Sequence, residues 1–314
     1  MLNEEASGDV SIGSLQAQID ADHEAIDVHW LEGHLSRYIE ASAPLRDRAL
    51  AIGDKARAAT IVSWMAVGAI YAWDQRAEEY VAEAERLAGE ADLPVVAARM
   101  QRARAQIADL RGDPAGMDTA MSDELVAAEA AGETEEIVSA RRRLGERRLE
   151  QRRFREAHAE LSRALELSRR TGEQKSHTEI LCGLARLAME RGDVDAADAL
   201  VAEARTQVRE EDLTGVAATE LALADVRAAQ ARDTEAEDAF RNALAAIRST
   251  EYRLQIVEAS VAYARFLAHR GRIAEANTLL EPIEGSLQDR GYAVKRAEIA
   301  EVRDLIRRST SATG

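Results

Sequence analysis

A small residue, once replaced by methionine, recurs along this chain at Ala77, Met117, Ala157, Ala197, Ala236 and Ala276, in steps of 40, 40, 40, 39 and 40. Four residues after each stands a larger apolar one: Val81, Met121, Leu161, Val201, Phe240 and Leu280. Three further on come Ala84, Glu124, Ala164, Ala204, Ala243 and Ile283. Spacings of four and then three return to one face of a helix. Twelve residues before each anchor lies a second position, mostly small, at Met65, Ala105, Gly145, Ala185, Ala224 and Ala264. The pattern predicts two helices per unit, with small side chains at mid-length where the backbones cross closely.

A seventh, poorer unit precedes these around Gly33, with helices expected near 15–31 and 36–52. Turns are expected near Gly33, Ala72, Gly112, Arg152, Gly192, Ala231 and Gly271. A last helix near 291–308 has no partner hairpin and is expected to cap the array. The division expected is an irregular N-terminus over 1–14, one repeat domain over 15–308 and a flexible tail over 309–314. The fold class is therefore all-α, a right-handed α-solenoid of about seven helix-turn-helix units and a capping helix.

Composition supports this reading. Hydrophobic residues make up 46% of the chain and aromatics only 4%, so Ala and Leu carry the core. Both are strong helix formers, and runs rich in Val, Ile, Thr and Tyr, which mark strands, are missing. The net charge of −16 repels phosphate backbones and anionic lipid, which argues against general nucleic-acid binding and against a membrane surface. A single cysteine, Cys182, excludes a disulfide framework. The acidic start MLNEEASGDV has no signal-peptide character, so the expected location is cytoplasmic.

The unit over 178–211 carries a family resemblance. Leu184, Ala185, Gly192, Val194, Ala197, Val201 and Ala204 resemble the tetratricopeptide pattern. The likeness extends over roughly 15–308, with a period near 40 rather than 34 and without the usual aromatics. Longer units of this kind are similar to the sensor arrays of bacterial transcriptional regulators of the MalT type, and to the C-terminal arrays of bacterial multidomain cyclases. The resemblance implies a binding array, not an enzyme.

No motif for catalysis appears. There is no phosphate loop and no nucleophile elbow. Cys182 lies among apolar neighbours in EILCGLARLAME, as a buried structural thiol does. The segment HEAID at 23–27, with His29 and His34 nearby, falls short of H-E-x-x-H because its fifth residue is Asp27. No metal and no cofactor are expected, and Trp30 is expected to pack against the next unit.

The resemblance also implies which residues face the concave side. Its position 5 falls on Val62, Arg102, Arg142, Cys182, Leu221 and Val261, and its position 9 on Ala66, Gln106, Glu146, Arg186, Asp225 and Arg265. Position 2 adds Arg99, Glu179 and Glu258, and position 12 adds Asp109, Leu149 and Met189. The candidate partner-binding residues are Arg99, Arg102, Arg142, Glu146, Arg186, Met189 and Arg265. Arginine suits bidentate recognition of carboxylates, so one reading is a groove for a protein or peptide partner, an acidic one in particular. The other is that these arginines pair with Asp109, Glu146, Glu179, Asp225 and Glu258 in inter-helix salt bridges. The chaperone-tail clamp of Lys and Asn is missing. A second basic run, 141–155, reads either as a solvated helix face or as a docking patch for an acidic partner or RNA. The function expected is a scaffold or adaptor; the alternative is a ligand- or peptide-sensing array of a bacterial regulatory system.

Overall fold

The computed structural model describes residues 11–172 and 176–311. Among these there are helices and turns but no strand. The first three hairpins are α1 (Ile12–Leu31) with α2 (Leu35–Ala51), α3 (Lys55–Ala72) with α4 (Ala77–Ala91), and α5 (Pro94–Arg111) with α6 (Pro114–Ala131). Then come α7 (Thr134–Glu150) with α8 (Phe154–Thr171), α9 (His177–Glu190) with α10 (Val194–Gln207), and α11 (Leu213–Ala229) with α12 (Asp233–Ile247). The last hairpin is α13 (Arg253–His269) with α14 (Ile273–Arg290), and α15 (Arg296–Ser311) follows alone. Helix α1 begins at Ile12, inside the stretch expected to be irregular; residues 1–10 and 312–314 lie outside the described residues. Helix α15 starts at Arg296, five residues later than expected, because Lys295 takes a left-handed conformation before it.

The local signals explain the boundaries. Asp54, Asp113, Asp193 and Asp212 each accept a backbone N–H in the first turn of the helix that follows, satisfying donors that the helix itself leaves unpaired. Within hairpins the chain reverses through a left-handed residue at Gly33, Trp73, Gly112, Arg152, Gly192, Ala231 and Gly271. Six of these seven are the expected turn residues, and the seventh falls one place after Ala72. Trp73, Arg152 and Ala231 hold this conformation although a Cβ disfavours it by roughly 1–2 kcal/mol. Packing supplies the compensation at Trp73, whose ring meets Tyr292 edge-on at 5.2 Å.

The repeated small positions are where the helices cross. Ala185 and Ala197 are buried, as are Ala157, Ala224, Ala236, Ala264 and Ala276. At Gly145 even a methyl would fall 2.7 Å from Leu161 Cγ. The apolar partners Leu161, Val201, Phe240 and Leu280 are buried beside them. Helix α15 packs on α13 and α14 through Ile299, Val302 and Ile306, covering the last apolar face. Trp30 packs as expected, edge-on to Trp64 at 5.5 Å.

The solenoid curves until its end meets its beginning. Helix α13 touches α3, and the turn before α13 lies against the α1–α2 turn. The Glu251 N–H donates to the Gly33 carbonyl at 2.9 Å, and the Tyr252 hydroxyl donates to the Trp30 carbonyl at 2.7 Å. Further along the seam, Arg290 donates to the Trp73 carbonyl at 2.8 Å and the Ala293 N–H to the Leu110 carbonyl at 2.7 Å. Gly112 leaves no room for a side chain here, since a Cβ would stand 2.7 Å from Ala293 Cβ.

Candidate functional site

The residues that the tetratricopeptide register assigns to the concave face divide into a closed part and an open part. In the closed part, α5 contributes Arg99 and Arg102, both buried. Arg99 donates to Ser63 Oγ at 2.7 Å and to Glu136 Oε1 at 2.9 Å, with its guanidinium 3.9 Å from the centre of the Trp64 ring. Arg102 shares Glu136 with it and also donates to Glu124 Oε1 at 3.3 Å. Glu124 in turn bonds Arg143, which donates to Ser139 Oγ at 2.6 Å. Burial lowers the proton affinity of Arg99, and the Glu136 carboxylate opposes that shift.

This cluster accounts for Glu124, the one charged residue at its repeat position. Glu124 occupies the place held by alanine in four other units, and it is 1% exposed. A carboxylate there would be costly alone; Arg102 and Arg143 from the flanking helices neutralise it. Arg99 and Arg102 are thus paired, but with Glu124 and Glu136, which are not among the expected partners. Neither Glu124 nor Glu136 is on the face that the tetratricopeptide register assigns to the groove, so the repeat pattern alone does not reveal them. Arg142 with Glu146 and Glu179, and Arg186 with Glu146, make pairs of the expected kind.

The open part begins at α7. Arg142 donates to Glu146 Oε2 at 2.8 Å and reaches Glu179 Oε2 at 3.1 Å. Burial disfavours its charge, and the two carboxylates outweigh that effect and hold it protonated. Arg186 lies 3.4 Å from Glu146 Oε1 with its side chain 47% exposed. Arg265 lies 3.3 Å from Glu298 Oε2 and is 40% exposed. Between them on α11 is Asp225, exposed at its surface and without a hydrogen bond or ion pair. Desolvation by the helices around it pushes its carboxyl up to about 6, against the pull of Arg186 and Arg265. Met189 is half-buried one turn beyond Arg186.

Glu146, Arg186, Asp225 and Arg265 therefore form a row of alternating charge, one residue per repeat, in the same 40, 39, 40 register as the core anchors. Toward the seam the row ends at Lys295, which contacts Glu298 at 3.0 Å, Glu258 at 3.6 Å and Glu150 at 3.8 Å. Asp109 faces this group, and burial pushes it up to about 6 while Lys295 opposes. Cys182, one turn before Arg186, is buried, donates to Thr219 Oγ1 at 3.8 Å and is pushed up to about 12 by burial. A thiol so far from ionisation is no nucleophile at neutral pH.

The basic run over 141–155 is largely paired between helices. Arg141 bonds Glu160 at 2.7 Å, Arg147 bonds Asp118 at 2.7 Å and Arg152 lies 3.6 Å from Glu190. His23 of the HEAID segment is hydrogen-bonded to the Tyr38 hydroxyl at 2.9 Å, so its ring is turned to the α2 interface.

No protein-family model and no curated protein matches the sequence. Solved structures share its fold. The apo form of RapI aligns with a TM-score of 0.62 at 14% identity, over 93% of this chain and 99% of that one. The Rap conjugation gene regulator of plasmid pLS20, solved in complex with the Phr* peptide, aligns at 0.54 and 14% identity, over 96% and 97%. A signal transduction ATPase with numerous domains from Pyrococcus horikoshii, bearing a tetratricopeptide repeat sensor, aligns at 0.51 and 13% identity, over 94% of this chain and 45% of that one. The chain has a tetratricopeptide-like helical-repeat fold. Among its described residues no helix is long and apolar enough to cross a membrane.

Proposed function

We propose that this chain is a non-catalytic peptide receptor whose inner face, from α7 to α15, holds an extended peptide for a regulatory purpose. The observation that carries this reading is the alternating row, in which two half-exposed guanidinium groups flank an unpaired carboxylate. An extended peptide presents charges and backbone dipoles at intervals along a line, and a row fixed on successive helices meets them without reorganisation. Arg186 and Arg265 are assigned to carboxylates of the ligand, and Asp225 to a cationic group between them. Glu146 and Met189 complete the contact, Arg142 orients Glu146, and Arg99 and Arg102 brace the wall beneath.

The partner is thus a peptide of mixed charge with acidic groups, and not nucleic acid or membrane. Sensing is favoured over plain scaffolding because the pLS20 regulator was solved with a peptide bound and another similar structure carries a repeat sensor. A long-unit sensor array of the MalT type, working in the cytoplasm, is the fuller form of the same reading.

The test starts from a displayed library of random peptides selected on the full chain. Calorimetry then compares the best binders on wild type and on an Arg186→Glu/Arg265→Glu variant of unchanged helicity. Affinity is expected to fall at least tenfold, and raised salt is expected to weaken the wild type. Equal affinity of wild type and variant would remove the inner face from the binding site.

A further inference from the structure

The turn between α1 and α2 gathers three side chains that bind metals. A ring nitrogen of His29, a carboxylate oxygen of Glu32 and a ring nitrogen of His34 all lie within 4.8 Å of one another. The backbone brings them together. Glu32 is the C-cap of α1, Gly33 takes a φ of +72° to reverse the chain, and the His34 N–H donates to the His29 carbonyl at 2.7 Å. Residues 29 to 34 thereby close a loop whose first and last side chains emerge side by side.

Each of the two imidazoles has a ring nitrogen that is not otherwise engaged. Nδ1 of His29 and Nδ1 of His34 are both shut off from solvent and make no hydrogen bond. His34 Nδ1 approaches Glu32 Oε2 to 3.2 Å without the alignment of a hydrogen bond. His34 is the N-cap residue of α2, yet its side chain does not cap the helix. Glu251 does so through Ser36, so the His34 imidazole has no capping role. Buried polar atoms without partners cost free energy, and one on each of two imidazoles clustered with a carboxylate points to a cation rather than to packing.

We propose that His29, Glu32 and His34 form a site for a divalent transition metal, with zinc the best match. Two imidazoles and one carboxylate are a donor set that zinc accepts, whereas calcium and magnesium demand oxygen ligands. Zinc bonds of about 2.0–2.2 Å in a tetrahedron need ligand atoms roughly 3.3 Å apart, so the cluster tightens by side-chain rotation. Glu32 and His34 are 54% and 39% exposed, which gives the ion a way in and leaves a fourth position for water. The same turn supplies the Gly33 and Trp30 carbonyls that hold the seam to Glu251 and Tyr252. A metal that ties the end of α1 to the start of α2 therefore stiffens the acceptor side of the closure.

The test uses the full chain, stripped with a chelator and titrated with zinc chloride in a calorimeter. Cobalt(II) absorption is read in parallel for a tetrahedral ligand field. The variants are His29→Gln, His34→Gln and Glu32→Gln, with His158→Gln, an exposed site on α8, as control. One zinc per chain is expected, bound at least tenfold more weakly by each cluster variant and unchanged in the control. Zinc is expected to raise the Tm of the wild type and of the control alone. If the histidine variants fold poorly, Glu32→Gln at the exposed carboxylate decides the matter. Zinc binding equal in wild type and cluster variants, or no binding by the wild type below millimolar zinc, overturns the site and leaves a solvated His–Glu pair.

Discussion

Glu251 caps helix α2 by gripping Ser36, a residue 215 positions earlier in the chain. The Ser36 N–H donates to one carboxylate oxygen at 2.7 Å and its hydroxyl to the other at 2.8 Å. A helix cap is normally a neighbour in sequence; here the last third of the array caps the first hairpin.

Removing that cap should loosen the seam. Glu251→Ala is expected to cost about 1 kcal/mol in urea unfolding, the usual worth of a capping side chain. Gly33→Val should cost more, because Gly33 sits at φ +72° and its Cβ would stand 2.5 Å from Thr250 Cβ. Small-angle scattering should show a larger radius of gyration for Gly33→Val. An unchanged radius in both variants would mean that the seam does not hold the ends together.

Glu136 is the shared partner of two buried arginines, Arg99 and Arg102. Glu136→Ala leaves both without it, and breaking a buried pair from one side costs about 3–5 kcal/mol. Glu156 pairs with Arg153 at the surface, 51% exposed, and Glu156→Ala should cost less than about 1 kcal/mol. Denaturant midpoints of the two variants should therefore differ widely; similar midpoints would contradict the buried cluster.

Ala197, at the crossing of α9 and α10, is fully buried in the main hydrophobic core. Overpacking of a tight core costs typically about 1–3 kcal/mol. Ala197→Phe should lower the Tm, while Asp195→Phe, exposed on the same helix, should not. An unchanged Tm for Ala197→Phe would displace the register on which the whole repeat reading rests.

Asp225 gives the row a pH dependence. Its folded-state value near 6 lies above the ordinary 3.8, so the folded chain holds its proton more tightly than the unfolded chain does. The resulting stability is fully present below about 3.8 and is lost as pH rises through 6. Asp225→Asn should remove this loss. The Tm of the variant minus that of wild type is expected to grow between pH 4 and pH 6 and to stay level above 7. A difference independent of pH would mean that the carboxyl titrates normally.

The hairpins, their turns and the small residues at their crossings are all legible in the sequence, because each depends on contacts within one unit or with the next. Gly145, Ala185 and Ala197 announce themselves by period alone. The row from Glu146 to Arg265 is legible for the same reason, once the concave register is assigned by resemblance. Glu124 and Glu136 were not legible as partners of Arg102, since the pairing joins a second helix and a helix start that the register assigns to other faces. Nor was the meeting of Ser36 with Glu251, or of His29 with Glu32 and His34 as a cluster. The first depends on small rotations summed over six repeats, and the second on a side chain released from capping.

A linear array of repeats ordinarily unzips from its ends, since each unit leans only on its neighbours and the terminal ones lean on a single side. The seam described here gives both ends a second neighbour. Fraying of α1 and α2 then requires α13 to let go as well, so opening events that would be local become shared across the chain. Such a molecule should exchange its amide protons in one concerted block, and should present a protease with an all-or-none choice where an open string would offer a loose end.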